Sequence, residues 1–250
     1  MRIPALRIPT LRIPALAKFL LALISIPAAL VFFTAMNVTG VGALLCPPCF
    51  GFERLAPGVF IETQASEVYR RDMLGWVIES KQKVRHFFGS QMSAPAIFVC
   101  VTEHCYRRVE RRGGQTQGIS LLDWVIVLSP HINSAVAITH ELTHVELHNR
   151  LGPKMFAVPA WFDEGLAVNV SDDPRYVGAA GTGDRCLMEV SGPLPATDFS
   201  WVRATQTTNR PYGEAACVVS RWLAAKDGAK SVLSLIGEIN TGSSFAKAYR

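Results

Sequence analysis

"THELTHVELH" fills residues 139–148 and places three histidines and two glutamates within ten residues. The sequence around it carries helix signals. Asn133 or Ser134 can open a helix that runs to about Asn149, and Gly152-Pro153 stops it. Residues four apart share a helix face, so His140 and His144 can present two imidazole nitrogens to one metal ion. Glu141 stands about 100° further round the helix, outside the ligand set but within reach of a water at the ion. Histidine and carboxylate donors suit Zn²⁺ in a site that keeps one open position. A zinc ion there lowers the pKa of a water toward ~7, and Glu141 can take its proton as the water attacks a carbonyl. The pattern His-Glu-x-x-His has this mechanism attached, but it also arises by chance on solvated helices, so a third ligand decides the reading.

One solution would place a glycine at position 147 and a histidine at position 150; the chain has Leu147 and Arg150 there. The other is a glutamate from a following helix, and "VPAWFDEGLAV" (158–168) supplies Glu164. It follows His144 by twenty residues, which is room for a turn and a helix returning along the first. That second helix is expected from Pro159 to about Val170, with Pro159 in its first turn. Trp161, Phe162, Leu166 and Ala167 would pack it on the core, while Gly165 permits close approach of a neighbour.

With both segments in place, "HELTH…AWFDEGLA" resembles the gluzincin branch of zinc metallopeptidases, the peptidase MA-like group, with distant similarity to thermolysin and the M1 aminopeptidases. The resemblance implies His140, His144 and Glu164 as ligands of one Zn²⁺ per chain and Glu141 as general base. It also implies a catalytic tyrosine. "RPYGEAACVVSRWL" (210–223) is similar to the M1 segment in which a tyrosine opening a helix stabilises the transition state, and that tyrosine is Tyr212. The close, "LIGEINTGSSFAKAY", looks like the end of such domains. The resemblance covers roughly residues 123–250, and 53–122 is only loosely like their small upstream sheet domain. The M1 signature Gly-x-Met-Glu-Asn, which helps hold a free amino terminus, is absent, so the resemblance does not carry aminopeptidase activity. Asp163 reads either as a partner orienting a ligand histidine or as a helix N-terminal charge. His148 continues the histidine stripe, Glu146 falls on another face, and His104 and His131 read as bystanders.

Outside this region, "GVFIET" (58–63), "APAIFVCVT" (94–102) and "DWVIVLSP" (123–130) predict strands. Apolar residues at helical spacing predict an amphipathic helix from about Ala65 to Phe88. "HCYRRVERRGGQTQG" reads as a solvated, basic connection and 171–210 as a long irregular segment shaping the cleft. Helices are expected at 211–226 and 229–239, separated by Gly228, with a short last helix in "SSFAKAYR". The fold class is α+β: a small N-terminal sheet with a helix, then a mainly helical lobe carrying the histidine helix. A peptide is expected beside the sheet edge, with "DWVIVLSP" as the edge strand.

The net charge of +5 is concentrated at the start, where Arg2, Arg7, Arg12 and Lys18 meet no acidic residue. No basic stripe with interleaved aromatics remains, which argues against nucleic-acid binding. Residues 2–16 repeat "RIPAL" and form a basic tail, 1–18. No charged residue occurs from Phe19 to Phe52, and 19–45 is long enough for a transmembrane or signal-anchor segment. Cations precede it, so the N-terminus is expected in the cytoplasm and residues 53–250, the metallopeptidase domain, outside a bacterial inner membrane, periplasmic or extracellular. Six cysteines in an exported chain predict disulfides; fifteen pairings are open, and the one expected is Cys46–Cys49 and Cys100–Cys105 as local pairs with Cys186–Cys217 left over. The sequence thus reads as a membrane-anchored zinc hydrolase of peptide or protein substrates. Two alternatives stay open: a catalytically silent, tethered binding protein with the same fold, and a zinc hydrolase of a non-peptide amide or ester.

Overall fold

The computed structural model describes residues 40–110, 118–121, 124–181 and 184–250, apart from the side chains of Ile119 and Leu121. The basic tail and most of the expected membrane span lie outside the described residues. Among the described residues, no helix is long and apolar enough to cross a membrane.

Five strands form one sheet: β1 (Phe52–Ala56), β2 (Val59–Glu62), β3 (Ala96–Val99), β4 (Gly118–Leu121) and β5 (Val125–Leu128), in the order β1-β2-β3-β5-β4. The three inner strands run parallel and the two edge strands antiparallel. Parallel strands are covered on both faces, which is why β2, β3 and β5 are apolar at nearly every position. Alternation divides them. Val59, Ile61, Ile97, Val99, Ile126 and Leu128 enter the main core, while Phe98, Val125 and Val127 enter a second core with Phe52. A fully buried side chain of this kind contributes roughly 1.5–3 kcal/mol.

The second face is covered by α1 (Val41–Leu45) and α3 (Glu103–Glu110), whose Ala43, Cys105, Tyr106 and Val109 complete that core. Here the expected connection after β3 is instead a helix. The Thr102 hydroxyl accepts the Cys105 N–H at 3.1 Å, and the buried Glu62 carboxylate accepts the N–H groups of Val101 and Thr102 at 2.8 and 2.9 Å. The Thr102 bond satisfies one orphan donor of the helix start, and Glu62 holds the turn that leads into it. Arg107 and Arg108 lie on its exposed face, and residues 111–117 of the segment lie outside the described residues.

The main core packs between the sheet and α2 (Glu67–Phe88) with α4 (Ala135–Leu151). Ser66 caps α2 by accepting the Tyr69 N–H at 3.2 Å, and Gly89 ends it at φ 74°. Along α4, Ser80 donates to the Ala135 carbonyl at 3.0 Å. The fully buried Glu146 accepts the Ser93 N–H at 2.9 Å and Arg150 Nε–H at 2.7 Å, tying α4 to the loop before β3.

A 3₁₀ turn over Gly152–Ala157 leads to α5 (Ala160–Ser171). Pro159 is the residue before its first turn rather than a member of it. Helix α5 is wedged against α7 (Arg210–Ala225), and a Cβ on Gly165 would stand 2.5 Å from the Ala215 carbonyl oxygen. Asn169 reinforces the crossing, donating to the Gly165 and Ala216 carbonyls at 2.8 and 2.9 Å. Helices α8 (Ala229–Asn240) and α9 (Phe245–Ala248) close the lobe. The segment read as irregular holds α6 (Asp198–Thr205), started by a capping box between Thr197 and Ser200 and anchored by buried Trp201.

The architecture is α+β, as expected. The edge strand differs from expectation. β5 lies inside the sheet, flanked by β3 and β4, and the edge beside α4 is β4. The three disulfides pair Cys46–Cys49, Cys100–Cys105 and Cys186–Cys217, which accords with an oxidising, extracytoplasmic compartment.

Candidate metal centre

Helix α4 brings His140, His144 and His148 to one face because they are spaced four apart. Helix α5 returns along that face and sets Asp163 and Glu164 against it. His140 Nε2 lies 3.2 Å from Glu164 Oε2, His144 Nε2 lies 3.0 Å from His140 Nε2, and His144 Nε2 lies 3.5 Å from Glu164 Oε2. Donors held about 2.05 Å from one ion at tetrahedral angles stand roughly 3.3 Å apart, so the three observed separations straddle that value. Two imidazole nitrogens and a carboxylate oxygen crowded this closely repel one another unless a proton or a cation sits among them. His140, His144 and Glu164 could therefore hold a metal ion.

The tautomers agree. His144 Nδ1 is 2.6 Å from Asp163 Oδ1. With its proton on Nδ1, the ring turns the Nε2 lone pair toward His140 and Glu164. The other oxygen of Asp163 lies 2.7 Å from His148 Nε2. One carboxylate thus orients a candidate ligand and the histidine a turn beyond it. Of the two readings of Asp163, the geometry supports the orienting one, and it gives His148 the place of a partner to that carboxylate.

The pocket favours positive charge. Burial works to raise Glu164, but the charges and hydrogen bonds of His144 and His140 outweigh it and hold its pKa at about 2. Burial likewise opposes protonation of His144, yet Asp163 and Glu164 together lift it well above its ordinary 6.5. Glu141 is buried beside the group, and burial raises its pKa against the opposing charges of His140 and His144. A carboxylate lifted in this way is a stronger base than an exposed glutamate.

Strand β4 reaches Glu141. Its Ser120 side chain faces the carboxylate and acts against the rise that burial causes. A Cβ on Gly118 would stand 3.0 Å from Glu141 Cγ and 3.3 Å from Oε1, so a glycine lets the edge strand approach this closely. Tyr212, at the start of α7, has its ring 6.4 Å from that of His140. Burial, with the Glu164 charge acting in the same direction, pushes its phenol far up, so it stays a neutral donor.

The sequence-predicted residues His140, Glu141, His144, Glu164 and Tyr212 converge here. His131 pairs instead with Glu103 at 2.8 Å. Sequence reasoning missed Gly118, Ser120, Trp201 and Tyr176. Tyr176 stacks on Tyr212 at 5.5 Å, and Trp201 meets Tyr212 edge-on at 5.1 Å. A Gly-x-Ser opening a short edge strand was the available signal for the first two; nothing in the spacing marks the aromatic pair.

Comparison of the chain with protein-family models, with curated proteins and with solved structures finds no match.

Proposed function

We propose that the chain is a zinc-dependent metallohydrolase of the gluzincin type that cleaves peptide bonds. The observation that carries this reading is the tetrahedral spacing of His140, His144 and Glu164 with a buried glutamate, Glu141, beside them. A zinc ion bound there supplies Lewis acidity, polarising a carbonyl and acidifying water. The chain's residues do the rest. Glu141, lifted by burial, accepts a proton from the attacking water and can return it to the leaving amine. The Tyr212 hydroxyl donates to the oxygen on which negative charge develops. Asp163 holds the His144 ring at the angle the ligand role needs.

With β5 inside the sheet, a different edge is left for a substrate to join. A peptide would pair with the outer edge of β4, whose far side no described strand covers, rather than with β5. This path runs past Gly118, so the scissile carbonyl arrives at Glu141. Residues 19–45 would anchor the chain with this lobe in the extracytoplasmic, oxidising space.

Two measurements on the full-length chain test the reading. Metal analysis should give about one zinc per chain, with affinity falling on the order of a thousandfold in Glu164→Ala. A randomised peptide library should be cut by the wild type and left intact by Glu141→Gln with zinc still bound. A folded protein without zinc sinks the proposal. Zinc without cleavage leaves a metal-binding protein that is not a peptidase.

A further inference from the structure

The residues just after α5 build a device that hydrolysis itself does not use. Asp173, 2% exposed, accepts the backbone N–H of Arg175 at 3.0 Å, its Nε–H at 2.9 and 3.1 Å and its Nη2–H at 2.5 Å. The guanidinium is thereby laid over the Tyr176 ring, 5.0 Å from its centroid. Tyr176 stacks on Tyr212 at 5.5 Å and an interplanar angle of 22°, and Tyr212 neighbours His140. One continuous column therefore leads from a candidate metal ligand to an arginine whose side chain is still 52% exposed.

A half-exposed arginine ordinarily keeps its rotamer freedom. Here that freedom is given up before any ligand arrives, which lowers the entropic cost of recognition. Asp173 occupies Nε and Nη2. Among the described residues no hydrogen bond reaches Nη1, so part of the five-donor fork remains for a ligand. The charges of Arg175 and Glu164 both act on the Tyr176 phenol. A single guanidinium already paired with Asp173 matches a monoanion better than a dianion.

We propose that Arg175 is a carboxylate-recognition subsite of the cleft, taking an acidic side chain or the terminal carboxylate of a peptide. The inference rests on the hydrolytic reading and gives it a substrate class: peptides bearing a carboxylate on one side of the cleaved bond.

The test uses the full-length, zinc-loaded protein and matched peptides that carry glutamate or glutamine in the residues flanking the cleaved bond. Each is made with a free and with an amidated C-terminus. The kcat/KM ratio between partners of a pair is taken within one preparation, so the folded fraction cancels. The wild type should favour the carboxylate-bearing partner about fivefold, expressed in KM with kcat nearly equal. Arg175→Gln should bring the ratio to about one, and Arg175→Lys, which keeps an ion for Asp173, to about twofold. Preference that follows the glutamate assigns the subsite to a side chain, and preference that follows the free terminus assigns it to the chain end. Cleavage without preference, or a preference that survives Arg175→Gln, overturns the subsite and leaves the hydrolase standing. A zinc-loaded wild type that cuts none of the peptides overturns both.

Discussion

Two walls face each other across the metal group, and they are made differently. The wall formed by α4 and α5 is regular: a four-residue stripe of histidines meets two adjacent carboxylates on a returning helix. The wall that carries Tyr176 has no repeat. Its described residues, 172–181 and 184–197, are fastened to one another and to α7 point by point. Val177 and Cys186 bridge, Cys186 is bonded to Cys217, and Ser191 donates its hydroxyl to Glu214 at 2.7 Å. Arg221 pairs with Asp184 at 2.7 Å, and Met188 lies against Gly213 where a Cβ would collide. The first wall is fixed by secondary structure, the second by cross-links between distant residues. The first should therefore tolerate loss of a cross-link, and the second should tolerate loss of the metal.

The largest effect that bears on this difference comes from Cys186→Ser with Cys217→Ser. The closed loop spans 31 residues of sequence separation. Its chain-entropy contribution is roughly 3–4 kcal/mol. Denaturant unfolding should show a loss of that order, while zinc stoichiometry stays at one and peptide turnover falls as Tyr176 loses its support. Loss of zinc together with the disulfide would mean that the two walls are not separable.

Asp163→Asn strikes the regular wall. Asparagine keeps the shape but can turn an N–H toward His144 Nδ1, which disfavours the ligand tautomer. Zinc affinity should fall about 10- to 100-fold, measured by competition with a chelator, with thermal stability of the zinc-bound protein little changed. Unaltered affinity would make Asp163 a mere helix-end charge.

The smallest effect concerns pH. His144 is lifted above 6.5 by Asp163 and Glu164, so in the metal-free protein its ring stays protonated to higher pH than a free histidine. Zinc must displace that proton. Affinity should rise with pH through the range above 6.5, and calorimetric enthalpy should vary with buffer ionisation as the proton is released. A binding constant flat across this range would remove the electrostatic account of the pocket.

Much of the regular wall was legible because helical spacing and ligand chemistry constrain each other. Spacing, ligand chemistry and the resemblance together pointed to His140, His144 and Glu164, which the structure groups, and Gly165 was marked as a close-approach position that the structure fills with the Ala215 carbonyl. The short elements were not legible. α3 read as a loop because its stability comes from Glu62, Thr102 and a buried inner face, while its charges dominate the sequence. β4 has four residues and gains its identity only by pairing with β5, so its absence from the reading made β5 look like an edge. Tyr176 was out of reach for another reason: it is brought to Tyr212 by a bridge and a disulfide that no periodicity announces.

The attachment of α1 has a directional consequence. Gly40 donates its N–H to the Val109 carbonyl at 3.2 Å, and α1 lies with α3 on the sheet face opposite the one covered by α2 and α4. The chain therefore enters the lobe on one side of the sheet and presents its histidines from the helices on the other. Anything that grips the preceding residues pulls on α1 and the sheet and leaves the α4–α5 pair outside the line of force. A tethered molecule of this build would face its cleft away from its own point of attachment, toward material arriving from the bulk.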